Sequence, residues 1–165
     1  MPDNSAEVGA WSNEFSWPII GIHAALTPDG KVLTFGTDQN GVQTGLHIYD
    51  VWDPVANTHV TLEHHTHSDI FCSAGLIVAD TGEFLISGGD SRPLGVVNGG
   101  IPDVNVFDYR DESLTHSPTG PMEFSRWYGT AVTLGTGQIM MVGGRQNDDA
   151  TYSPYPGHQL QTLSY

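Results

Sequence analysis

CSAGLIVADTGEFLISGGD, residues Cys72 to Asp90, is the stretch on which the reading of this chain turns. It holds one apolar run, Leu76-Ile77-Val78, then the turn residues Asp80-Thr81-Gly82, then a second run, Phe84-Leu85-Ile86, and ends on Gly88-Gly89-Asp90. Aspartate, threonine and glycine at the middle suit a tight connection, where positive φ must be tolerated. Short runs that are mostly apolar rather than alternating suit strands covered on both faces. The stretch therefore predicts a buried β-hairpin.

The same pattern occurs twice more, in HAALTPDGKVLTFGTD from His23 and in YGTAVTLGTGQIMMVGGR from Tyr128. The turn glycines Gly30, Gly82 and Gly137 lie 52 and then 55 residues apart, and each second strand reaches a glycine six residues later, at Gly36, Gly88 and Gly143. A third strand is expected after each hairpin, in HIYDVWDP (47–54), VNVFDYR (104–110) and TYSPYP (151–156). A short fourth is expected in THVTLE (58–63), SLTHS (113–117) and HQLQTL (158–163). No segment sustains a helical period.

Four strands per unit, a repeat near 50 residues and a glycine pair after the second strand describe kelch-type blades of a β-propeller. The expected fold is all-β: a leading segment at 1–18 and four-stranded antiparallel blades at 19–69, 70–125 and 126–165 within one partial domain. Propellers usually close with about four to eight blades. Three blades make an arc with apolar faces at both ends. The chain is thus expected to be the N-terminal part of a longer propeller, or to complete a ring by self-association.

Composition narrows the partners. The 165 residues carry 19 acidic and 5 basic side chains, a net charge of −14. Such a surface repels phosphate backbones and anionic lipid, so neither nucleic acid nor membrane is an expected partner. Solubility or adaptation to salt accounts for the acidity, since no calcium-loop pattern accompanies it. The single cysteine excludes a disulfide within the chain. No apolar run has the length of a membrane span, and MPDNSAEVGAWSNEF lacks the basic start and apolar core of a signal peptide.

The segment before Cys72, His64-His65-Thr66-His67-Ser68-Asp69, raises the question of a metal site. On a strand His65 and His67 would share one face and could join Asp69 or a distant ligand around zinc or copper. The plainer expectation is a solvent-facing approach to a blade. His23 opens the first inner strand and could face the axial mouth or be a satisfied rim residue. Arg126 could steer an anion there or bind carbonyls of a neighbouring blade. Tyr49, Trp52, Phe107 and Tyr109 are expected to pack between blades. The loop TDQNGVQTG (37–45) could contact polar substrates such as sugars, or be plain surface.

At Asp69-Ile70-Phe71-Cys72 and Arg126-Trp127-Tyr128 the chain resembles the galactose oxidase and glyoxal oxidase family of copper radical oxidases. The likeness runs from about Trp17 to Gly144, and the Arg-Trp-Tyr form is closer to the glyoxal oxidase branch. The resemblance implies a thioether between Cys72 and Tyr128, which would then be the catalytic and cofactor-forming pair, with Tyr128 also a copper ligand. An electron-donating sulfur on the phenol ring makes a radical accessible. Copper and that ring can then share the two electrons of a primary alcohol or aldehyde and pass them to dioxygen, giving peroxide.

The family's second tyrosine, its two copper histidines and the tryptophan after the third blade's glycine pair have no match here. Gly144 is followed by Arg145-Gln146-Asn147-Asp148. The copper and thioether cofactor, the alcohol, aldehyde or carbohydrate substrate and an extracellular location are therefore expectations for a full-length parent. This chain alone is expected to bind no copper and to be inactive. A kelch propeller that binds carbohydrate or protein without catalysis, and a self-assembling structural unit, stay open as alternatives, because one fold hosts many functions.

Overall fold

The computed structural model describes residues 4–92, 99–146 and 161–163, the last as backbone. Among the described residues a single helical turn, α1 (Ser5–Val8), precedes eleven strands. They are β1 (Ile20–Leu26), β2 (Val32–Thr37), β3 (Ile48–Asp53), β4 (Thr58–Glu63), β5 (Ala74–Ile77), β6 (Phe84–Ser87), β7 (Val104–Asp108), β8 (Ser113–His116), β9 (Trp127–Thr133), β10 (Ile139–Arg145) and β11 (Gln161–Leu163). They form three antiparallel sheets in the orders β1-β2-β3-β4, β5-β6-β7-β8 and β11-β10-β9. The fold is all-β and propeller-like, and among the described residues no sheet closes on itself.

The three hairpin turns close alike. The amides of Thr27, Val78 and Leu134 donate to the carbonyls of Lys31, Glu83 and Gln138 at 2.8 to 2.9 Å. The core sits between the sheets, not within one. Phe84 and Ile86 of β6 face the first sheet, where they meet Leu33, Phe35, Tyr49 and Val51. Leu85, one residue out of phase, faces the third sheet and meets Ile139 and Met141. A strand sandwiched in this way must be apolar on both faces, which is why Phe84-Leu85-Ile86-Ser87 is buried throughout.

Tyr49 and Phe107 meet across the first seam, ring centroids 5.7 Å apart, and Tyr109 packs against the same cluster. Trp52 does not. It points to the other face of the first sheet, because it is one residue out of phase with Val51. There Phe15 and Trp17 of the leading segment lie over it at 5.4 and 5.0 Å. The indole N–H of Trp17 donates to Thr34 Oγ1 at 3.1 Å, and buried Asp50 accepts from His59 and Thr61 at 2.7 and 3.0 Å.

In the third sheet the stretch expected as a fourth strand, HQLQTL, contributes β11. It pairs directly with β10, Ile139 opposite Leu163, the position that β3 and β7 hold in the other sheets. The expected third strand at 151–156 lies outside the described residues.

Gly88 and Gly89 lie where three segments converge. The Gly89 amide donates to the Arg126 carbonyl at 3.0 Å and the Asp90 amide to the Asp69 carbonyl at 2.9 Å. A Cβ on Gly88 would stand 2.2 Å from the Arg126 carbonyl oxygen, and one on Gly89 would stand 1.9 Å from that of Asp69. Only hydrogen fits there. The pair thus brings the approach to β5 and the approach to β9 to one place.

Candidate functional site

Cys72 lies two residues before β5, and Tyr128 is the second residue of β9. The Tyr128 amide donates to the Cys72 carbonyl at 2.8 Å, so the two entrances run side by side. Both residues have left-handed backbone, Cys72 at φ +60° and Tyr128 at φ +56°. That region is sterically costly for a side chain with a Cβ, and such outliers concentrate at functional sites.

The side chains meet as well. Cys72 is 1% exposed and free of any disulfide. Burial pushes its thiol above the ordinary range. The neighbouring Tyr128 phenol and Trp127 indole N–H offset part of that, and the carboxylates of Asp90 and Asp69 add to the rise. The phenol of Tyr128 is in turn pushed up, chiefly by the neighbouring Cys72 thiol. Tyr128 remains 56% exposed on the open side of the third sheet. Trp127 packs edge-on against it at 4.6 Å.

Behind the pair lies a carboxylate cluster that sequence reasoning did not anticipate. Asp69 and Asp90 are 4% and 1% exposed. Gln43 Nε2 donates to both, at 2.5 Å to Asp69 and 3.3 Å to Asp90. The Phe71 amide caps Asp69 at 3.1 Å, and the Arg92 amide caps Asp90 at 2.9 Å. Burial, with the neighbouring Asp90 charge, pushes the Asp69 carboxyl up, against the pull of these donors. The 37–45 loop is therefore not plain surface at its second end. Its first end is a tight turn in which the Asn40 and Val42 amides both donate to Asp38 at 2.8 Å.

The histidine segment divides. His65 and His67 are exposed, whereas His64 is buried, contrary to the expectation of solvent-facing imidazoles. Its Nε2 donates to the Gly45 carbonyl at 2.9 Å and its Nδ1 accepts from Thr66 Oγ1 at 3.0 Å. Gly45 also accepts from the Ile70 amide at 3.1 Å. His64 thus anchors the loop against Asp69-Ile70-Phe71-Cys72. Arg126 is 2% exposed and donates to the Gly143 carbonyl of its own sheet, so its guanidinium is turned inward from the mouth. No signal within the sequence distinguished Gln43 or Asp90, since Gln43 reaches the site from the first repeat and Asp90 from the far end of the second hairpin.

The residues present fit one half of a copper radical centre, a cysteine thiol against a tyrosine phenol. Among the described residues no group of three or more His, Cys, Asp or Glu side chains is arranged to hold a metal ion. A cleft of about 410 Å³ opens elsewhere, at the outer end of the first seam, lined by Tyr49, His64, His65, Leu114 and His116 among others.

No protein-family profile matches the chain. Over 123 residues, 67% of the chain, it is 28% identical to a WSC domain-containing protein of Arthroderma benhamiae, and it spans 12% of that protein. Among solved structures, it superposes on a fungal alcohol oxidase described as catalytically diverse among the AA5 family and in complex with copper. The TM-score is 0.66 and the identity 21%, covering 84% of this chain and 28% of the oxidase. The likeness fixes the fold. YjhT is also similar, with a TM-score of 0.53 and 15% identity over 73% of this chain and 43% of its own. The relationship to the galactose oxidase-like proteins is thus one of fold, over a region much shorter than the proteins matched. Among the described residues no helix is long and apolar enough to cross a membrane.

Proposed function

We propose that this chain supplies three blades, at 19–69, 70–125 and 126–165, of a galactose oxidase or glyoxal oxidase-like protein, with Cys72 and Tyr128 forming its thioether-modified tyrosine. The parent protein oxidises primary alcohols or aldehydes with dioxygen, outside the cell, and further blades cover the open faces. The observation that carries this reading is the 2.8 Å hydrogen bond from the Tyr128 amide to the Cys72 carbonyl, which sets the two residues side by side at blade entrances that both take left-handed backbone. The fold likeness to an alcohol oxidase in complex with copper supports it.

Copper bound at the phenolate would supply an acceptor for one of the two electrons, the sulfur-substituted ring taking the other. The chain's own residues prepare the pair. Burial excludes water from the sulfur. Burial, with the smaller contributions of the Asp90 and Asp69 carboxylates, favours the protonated thiol until it is consumed. In crosslinking, a bond from sulfur to ring carbon replaces the S–H of Cys72 and one ring C–H of Tyr128. The two protons and two electrons released reduce dioxygen to hydrogen peroxide.

Intact-mass measurement after aerobic copper treatment tests this. The chain is expected to lose two hydrogens, and a Tyr128→Phe variant none. An unchanged mass, or an equal loss in both, overturns the pairing. A second reading rests on the cleft at the first seam, whose imidazoles, tyrosine and apolar floor suit a carbohydrate or peptide ligand without catalysis. Saturable binding of saccharides that a Tyr49→Ala substitution abolishes, with no mass change under copper, would favour it.

A further inference from the structure

His23, Cys72 and Tyr128 open the three repeats, and in the fold they form one hydrogen-bonded line. The Cys72 amide donates to His23 Nε2 at 3.2 Å, and the Cys72 carbonyl accepts from the Tyr128 amide at 2.8 Å. Both ends of the Cys72 residue are therefore held from other repeats.

The sequence prepares this locally. The β1–β2 ladder pairs Gly21 with Gly36 but His23 with Phe35, a register shift that leaves Ile22 over. Such a bulge bends the strand and re-aims the side chain that follows. The His23 ring then stacks on Phe35, centroids 4.7 Å apart and planes 15° from parallel, with Phe71 edge-on at 6.4 Å. An imidazole clamped between rings keeps its Nε2 lone pair on a fixed bearing. Burial pushes His23 below the ordinary imidazole range, which keeps that nitrogen an acceptor, with the proton on Nδ1.

We propose that His23 is a positioning residue for Cys72, holding its amide so that the left-handed backbone persists and the thiol stays aimed at the Tyr128 ring. Cys72 at φ +60° is a conformation an L residue leaves readily unless its surroundings over-determine it. Its carbonyl partner on Tyr128 cannot fix both dihedrals. His23 supplies the second constraint, from the neighbouring first blade. The consequence for crosslinking rests on the reading of Cys72 and Tyr128 given above; the hold on the Cys72 backbone does not.

Three variants of the full 165-residue chain test it. His23→Phe keeps the aromatic stack and removes the acceptor; His23→Gln restores an acceptor; His23→Ala removes both. Amide hydrogen exchange is read at Cys72, and the copper-driven loss of two hydrogens is timed by intact mass. His23→Phe is expected to speed exchange at Cys72 by about tenfold, the loss of one hydrogen bond, and to slow crosslinking by a similar factor. Both are expected to recover in His23→Gln. Unchanged Cys72 exchange in His23→Phe overturns the proposal. So does a rise shared equally by Ala74–Ile77, the mark of a merely structural residue. Absence of mass loss in the unsubstituted chain would instead remove the crosslink reading, and the exchange result would stand by itself.

Discussion

The Tyr128 amide meets the Cys72 carbonyl at 2.8 Å, and the two residues share left-handed backbone at the mouths of adjacent inner strands. Side chains that enter from strands this close cannot avoid one another. A residue without a Cβ would reach the same backbone more cheaply. Cys72→Gly is therefore expected to be more stable than Cys72→Ala by about 0.5–1 kcal/mol, the left-handed cost offset in part by glycine's greater unfolded freedom. Urea unfolding of the two variants measures it, and the reverse order would mean that Cys72 is not held at φ +60° in solution.

Gly88 and Gly143 occupy the same place in successive repeats but meet different surroundings. A Cβ on Gly88 would collide with the Arg126 carbonyl oxygen at 2.2 Å, whereas one on Gly143 would meet nothing within 4 Å. Gly88→Ala is expected to cost about 3 kcal/mol or more. Gly143→Ala, at φ +70°, is expected to cost only the left-handed penalty of about 1–2 kcal/mol. Paired denaturation curves check this. In a longer protein whose next blade packs on the third sheet, the cost of Gly143→Ala should rise toward that of Gly88→Ala.

Gln43 donates to two buried carboxylates at once. Gln43→Glu replaces that donor with a third acid group between Asp69 and Asp90. Leaving buried charges without their donor and adding like charge is expected to destabilise the chain by about 2–4 kcal/mol. The loss should shrink below pH 5, as the new carboxyl takes up a proton. A melting temperature equal to that of the unsubstituted chain at pH 7 would show that the fork is not maintained.

His64 and His23 predict an acid-sensitive fold. Burial holds both below the ordinary imidazole value of 6.5, and His64 is lowered further by the nearby His47, His65 and His116. Below pH 6.5 the unfolded chain binds protons at these positions that the folded chain does not. Stability is therefore fully present above that value, and it falls as pH drops through the lowered folded values. Asp69, pushed up by burial, acts in the opposite sense nearer pH 4, so the measurement belongs between pH 7 and 5. Urea midpoints should decline across that interval and decline less in His64→Gln. A flat profile would mean that His64 is not buried in solution.

The hairpins were legible because their cause is local. Asp80-Thr81-Gly82 makes a turn wherever it stands, and Leu85 between Phe84 and Ile86 announces a strand with no polar face. Cys72 and Tyr128 were legible as equivalent positions of neighbouring repeats. The burial of His64 was not, since nothing in His64-His65-Thr66-His67 tells which imidazole turns inward. The Gly45 carbonyl that receives it lies 19 residues earlier. Trp52 was likewise misplaced, for phase along β3 decides its face, and the leading segment that covers it has no strand pattern to read.

What the sequence by itself determined is the sequence of elements: three hairpins, their turns and the two residues that open the second and third. The tertiary structure alone decided what those residues are for one another. His23 and Gln43 come from the first repeat and Asp90 from the far end of the second hairpin, and no spacing rule joins them to Cys72. They meet because the sheets pack face to face through rows of large apolar side chains. That packing leaves the inner-strand entrances only a hydrogen bond apart.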